Sequence, residues 1–108
     1  NADRKSGHCL IDQSGRLWAI DNALTFHAEP KLRTVIWDFA DQPLPAALLT
    51  TLTVMSDELL QGTALRQALS RLLSKSEIAA LRRRLQRLIH SGCFPEPGPG
   101  RPVPWPLV

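Results

Sequence analysis

The sequence predicts an α+β chain that is mostly helical, with one β-hairpin, about four helical segments and an extended Pro-rich tail. Three observations predict it. Two short apolar runs, HCLI and LWAI, flank the polar stretch DQSGR near the start. A serine and a glutamate at S-x-x-E spacing, Ser74 and Glu77, open a long apolar stripe of helical period. Six of the nine prolines fall in residues 94–108, where no helix can run through them.

Taken in order, residues 8–11 and 17–20 are the two arms of the hairpin. Asp12, Ser14 and Gly15 supply the turn, and Asp21-Asn22 closes the second arm. Pro30 can start a helical turn. The stretch KLRTVIWDFA then places Leu32, Val35, Ile36 and Phe39 at helical spacing, with Glu29 and Arg33 four apart and able to pair on a helix. Pro43 and Pro45 interrupt. An amphipathic helix follows from about Pro45 to Leu60, stopped by Gly62. Thr63 can N-cap a shorter helix, ALRQALSRLL. In the last helix Ser74 and Glu77 form a capping box, and Ile78, Leu81, Leu85, Leu88 and Ile89 form the stripe. Arg82, Arg83, Arg84 and Arg87 cover much of the rest, and Gly92 ends it.

The bulk composition narrows the function classes. A length of 108 residues suits a single domain, residues 1–108, with 44% hydrophobic and 21% charged residues. No apolar run approaches the ~20 residues of a membrane span, and no signal-peptide pattern opens the chain, so a cytoplasmic location is expected. Cys9 and Cys93 lack C-x-x-C spacing, and no pair of histidines has metal-ligand spacing. Met55 is the single methionine, which leads us to expect a piece of a longer polypeptide. Residues 1–60 hold five Lys/Arg against eight Asp/Glu, and residues 61–108 hold eight against two. A solvated helix face accounts for the basic half. Nucleic-acid binding lacks aromatic interleaving and a motif, and a membrane surface is a weak option.

The chemistry concentrates at the start. Lys5 lies two residues after Asp3, His8 five residues after it, and a hairpin then delivers Asp21 eighteen residues on. That is the layout of a phosphotransferase catalytic loop followed by a metal-binding loop. One acid sits near the acceptor hydroxyl, a cation near the γ-phosphate, and a second carboxylate on the metal. A short hairpin sets the two loops side by side.

DRKSGHCLID resembles the D-R-H-x-x-N-I-hydrophobic-hydrophobic loop of the phosphatidylinositol 3- and 4-kinase-like family, and AIDNAL resembles its I-D-F-G segment. Over essentially the whole chain, the residues are similar to a bacterial branch of that family found in actinobacteria and Chloroflexi. The motifs that carry this likeness are NADRKSGH, AIDNALTFH, EPKLRTVIW, FPEP and VPWP. The resemblance implies part of a protein-kinase-like C-lobe. In it Asp3 would be the catalytic acid–base residue, Lys5 the cation on the nucleotide phosphates, and Asp21 and His8 the metal-binding residues.

It also implies ATP and Mg²⁺ as cofactors of the full-length parent, with none bound to the isolated fragment. The nucleotide and the missing N-terminal lobe of the same protein are the implied partners. No Gly-rich loop or strand lysine is present in the sequence to cover the nucleotide, so residues 1–108 alone are expected to be inactive. The acceptor is left open among lipid, protein and small-molecule hydroxyls.

Two positions depart from the family pattern. His8 stands where the loop has Asn, and Asn22-Ala23 where it has Phe-Gly. These favour an alternative, a pseudokinase-like binding or scaffold module without phosphotransfer. In the tail, Pro99-Gly100-Arg101-Pro102 matches P-x-x-P, but an aromatic-proline tail packed on its own domain is the stronger expectation.

Overall fold

The computed structural model describes residues 2–108. Strands β1 (Cys9–Ile11) and β2 (Leu17–Ala19) pair antiparallel, with Leu10 opposite Trp18 and Ile11 opposite Leu17. Pairing continues one step further, where Ile20 N–H donates to the His8 carbonyl at 2.9 Å. Asp12 builds the turn almost alone. Its Oδ1 accepts from Ser14 N–H (2.9 Å), Ser14 Oγ (2.6 Å) and Arg16 N–H (3.0 Å), and its Oδ2 accepts from the Trp18 indole at 2.8 Å. Gly15 takes the left-handed φ of 81° that the turn requires. Ile11 and Leu17 stay 74% and 66% exposed, so this hairpin packs its side chains against little of the described chain.

Helix α1 (Ala46–Glu58) follows Pro45. Leu49, Leu52 and Met55 are half-buried and Leu59, its C-cap, is fully buried, a stripe at helical spacing. Thr50, Thr51 and Thr53 return their hydroxyls to carbonyls four residues back, which satisfies polar side chains inside a helix. Helix α2 (Ala64–Ser70) is capped as its sequence implies, with Arg66 N–H donating to Thr63 Oγ1 at 3.3 Å. It ends sooner than expected: Arg71 and Leu72 donate to carbonyls three residues back, a tightening that closes the last turn.

Helix α3 (Lys75–Ser91) carries both bonds of the capping box, Glu77 N–H to Ser74 Oγ at 3.2 Å and Ser74 N–H to Glu77 Oε1 at 3.0 Å. Gly92 closes it at φ 66°. The three helices pack against one another pairwise. The buried apolar residues of this region are Leu44, Leu59, Ile78, Ala80 and Leu85. Of the expected stripe, Ile78 and Leu85 are buried, while Leu81, Leu88 and Ile89 are half-buried.

Of the four helical segments expected, the first, KLRTVIWDFA, does not form. Residues 31–39 run as extended chain and turns, because their backbone groups are taken by distant partners. Arg4 N–H donates to Arg33 C=O at 3.1 Å and Val35 N–H to Arg4 C=O at 3.0 Å, a parallel bridge between Arg4 and Thr34. Thr34 N–H in turn donates to Pro102 C=O at 3.0 Å. The run Thr34-Val35-Ile36 is β-branched, so the local preference for helix is weak and tertiary pairing overrides it. Leu32, Ile36 and Phe39, which helical spacing would have put on one covered face, are exposed. No helix among the described residues is long and apolar enough to cross a membrane.

Candidate functional site

Asp3, Lys5, His8 and Asp21, dispersed through the loop and the far end of the hairpin, all line one cavity of about 410 Å³. Lys5 precedes a single 3₁₀ turn, Ser6–His8, and accepts the His8 N–H at 3.2 Å, which brings His8 round to the second hairpin arm. The His8 Nε2 lies 3.3 Å from Asp21 Oδ2. Its Nδ1 is buried with no hydrogen-bond partner among the described residues.

The backbone at this cavity is unusual. Asp3 (φ 58°), Asp21 (φ 53°) and Leu24 (φ 64°) are all left-handed, and all three line it. Such a conformation costs a non-glycine residue on the order of 1 kcal/mol or more, least for Asp, so three together need holding by their surroundings.

Two arginines do that holding. The Arg4 guanidinium donates to the His8 carbonyl at 3.2 Å, to the Ile20 carbonyl, and to Asn22 Oδ1 at 2.8 Å. It thereby ties the Asp3 loop to the residues on both sides of Asp21. Asn22, which stands where the resembled kinase segment has Phe, has a structural task here. Arg84 reaches from α3 to the Thr25 carbonyl at 3.1 Å and the His27 carbonyl at 2.8 Å, anchoring the segment after Asp21 on the helical region. Burial, with Arg83 and Arg87 nearby, pushes its guanidinium below its ordinary pKa.

Arg33 does not pair with Glu29, as a helix there would have allowed. It grips Asp3 instead, with Nη2 2.7 Å from Oδ2 and Nε 2.6 Å from Oδ1, while Glu29 lies 3.7 Å from Lys31. The missing helix explains the exchange: the parallel bridge draws residue 33 alongside residue 3. The tail adds the last wall. Pro102 C=O accepts both Thr34 N–H and the Trp37 indole (3.1 Å), and Arg101, Val103, Pro104 and Trp105 line the cavity.

Among the described residues, no group of three or more His, Cys, Asp and Glu is arranged to hold a metal ion. Asp21 with His8 offers one carboxylate and one imidazole. Mg²⁺ commonly takes only one or two protein carboxylates and completes its shell with phosphate oxygens and water, so Asp21 fits such a shell and His8 adds little to it.

Spacing alone singled out Asp3, Lys5, His8 and Asp21. It missed Arg4 and Arg101 altogether and gave Arg33 the wrong partner. Arg4 was visible as the residue beside Asp3, but two of its three side-chain partners lie 16 and 18 residues away.

Fold and site together define an α+β chain with a polar cavity lined by the Asp3–His8 loop, Asp21 and the proline-rich tail. Among curated proteins, the chain is similar to Protein Rv2133c of Mycobacterium tuberculosis (strain ATCC 25618 / H37Rv), with 42% identity over 106 residues. The similarity covers 98% of this chain and 37% of that protein, so the chain spans little more than a third of its relative's length. No family model matches the chain, and no solved structure matches it.

Proposed function

We infer that the chain is the C-lobe portion of a phosphatidylinositol 3-/4-kinase-like phosphotransferase. The observation that carries this reading is the meeting of Asp3, Lys5 and Asp21 at one cavity with both aspartates on left-handed backbone. An acid at the acceptor, a cation at the phosphate and a carboxylate for a metal are the groups phosphoryl transfer uses.

In this reading the acceptor hydroxyl lies against Asp3. Its oxygen bonds to the γ-phosphorus of ATP while the bond from that phosphorus to the β–γ bridging oxygen breaks. The hydroxyl proton goes to the Asp3 carboxylate, and ADP leaves. Arg33 orients that carboxylate, and each of its oxygens keeps a lone pair for the hydroxyl. Lys5 offsets charge on the transferred group. Mg²⁺, held by Asp21 and the nucleotide phosphates, would supply the remaining positive charge. The exposed apolar hairpin, Leu10, Ile11, Leu17 and Trp18, is the surface on which a nucleotide-covering N-terminal lobe would sit.

A specific observation favours the second reading, a binding module without transfer. Asp3 has both carboxylate oxygens against Arg33, and His8 faces Asp21 in the position of the loop's Asn.

Labelled-phosphate transfer by the intact protein separates the two. Asp3→Ala should lower transfer by ~10²–10⁴-fold with nucleotide affinity nearly unchanged, the signature of a general base that touches only the acceptor. Asp21→Ala should abolish Mg²⁺-supported transfer. Folded variants that match the parent would end the catalytic assignment, and a parent that binds nucleotide but transfers nothing would establish the binding module.

A further inference from the structure

We propose that Arg101, from the proline-rich tail, forms an anion subsite beside Lys5 in the cavity that takes the phosphate group of a phosphorylated ligand. The charges of the cavity leave room for one. Three fixed cations line it, Lys5, Arg33 and Arg101, against the carboxylates of Asp3 and Asp21. Arg33 is committed to Asp3, and Asp21 faces His8. Neither Lys5 nor Arg101 has a carboxylate partner among the described residues. Among the described lining residues three fixed cations thus face two carboxylates, one positive charge in excess, in a concave site of ordinary ligand size.

The position of Arg101 is built, not incidental. The neighbouring Pro102 carbonyl accepts two N–H groups, from Thr34 and the Trp37 side chain, and Pro104 is buried two residues further on. Gly100, at φ 94°, turns the chain just before it. The guanidinium lies 5.5 Å from the centre of the Trp105 ring, an exposed indole on the same cavity wall. This flank limits where the long side chain goes while leaving its five N–H donors open. A planar guanidinium with free donors suits the oxygens of a phosphate, and an ammonium beside it adds a point charge.

The subsite extends the phosphotransferase reading by naming its acceptor class, a small phosphorylated molecule whose phosphate is held by Arg101. It does not depend on transfer taking place, so it is tested without nucleotide or divalent metal. Inorganic phosphate is titrated into the intact protein at constant ionic strength, against chloride, and followed by calorimetry and by the NMR signal of the Arg101 Nε–H. Saturable binding that shifts this signal is expected. Arg101→Gln should weaken it about tenfold or more, as the loss of a charge-assisted hydrogen bond does, and Arg101→Lys should recover part. Arg83→Gln, on the exposed face of α3, makes the same change of charge away from the cavity and should leave binding unchanged.

Glycerol 3-phosphate and phosphatidylcholine vesicles carrying phosphatidylinositol 4-phosphate are then compared. Arg101-dependent binding of the soluble ester supports the subsite and assigns it to a soluble ligand. Arg101-dependent binding confined to vesicles supports it with a lipid headgroup as the source. Absence of phosphate binding, an Arg101 signal that phosphate does not move, or equal affinities in the parent and Arg101→Gln would overturn it. Equal weakening by Arg83→Gln would do the same. Failure of the transfer assay alone would leave these results standing.

Discussion

The hairpin-and-cavity region, residues 2–29, and the helical region, residues 46–91, are held by different physics. Among the helices, Leu59 and Ile78 are at most 1% exposed, and every start or stop uses a residue within a few positions of the helix end. Around the cavity only Ala2 is buried among residues 2–29, and the long-range ties are polar: Arg4 to Asn22, Arg33 to Asp3, Arg84 to Thr25 and His27. The difference teaches where rigidity comes from. Apolar burial stabilises the helices cooperatively, whereas the site is positioned by a few directional bonds whose loss is felt locally.

The comparison is broken or sharpened by mutation. Its largest expected effect is in the helical region, where Ile78→Ala leaves a cavity in the core. A loss of about 2–5 kcal/mol is expected, read as a fall in Tm by circular dichroism. A change below about 1 kcal/mol would mean that burial does not hold this half. Next is Arg84→Met, which keeps bulk but removes two charge-assisted bonds to carbonyls. A cost of roughly 1.5–3 kcal/mol is expected, with amide exchange accelerated most in residues 21–29 and least in α3. Uniform acceleration would show the two regions to be one cooperative unit.

Ser74→Ala removes the α3 N-cap and should cost about 1 kcal/mol, measured by urea denaturation. Smaller still is a titration confined to the hairpin turn. Hydrogen bonds from the Ser14 hydroxyl, the Trp18 indole and the Arg16 backbone hold Asp12 down from 3.8 to about 2. A lowered pKa stabilises the turn fully above pH 3.8 and loses that contribution as pH falls through about 2. The Trp18 indole proton should therefore shift with a midpoint near 2; a midpoint near 3.8 would mean the turn is not formed. Smallest is Ile11→Ser on the exposed strand, expected within about 0.5 kcal/mol of unsubstituted residues 1–108, in which it uncovers nothing.

What was legible follows the same division. The hairpin turn, the Thr63 cap, the Ser74–Glu77 box and the Gly92 stop each depend on partners within a few residues, and each forms as its sequence implies. That Asp3 and Asp21 line one cavity follows the same rule, because a hairpin with a five-residue polar turn returns the chain to its starting point. Residues 31–39 misled, since their apolar spacing is helical while their backbone bonds go to Arg4 and Pro102.

The sequence by itself determined the local elements and the short list of charged and polar groups near the hairpin. These depend on backbone geometry, turn chemistry and caps that act over a few residues and need no distant partner. Only the tertiary structure decided that residues 31–39 stay extended, that Arg33 grips Asp3 across 30 positions, that Arg4 braces Asn22, and that the tail brings Arg101 to the cavity. The physical reason is that an arginine or a free backbone N–H satisfies its hydrogen bonds equally well with many acceptors. Which one it meets depends on how the rest of the chain closes around it.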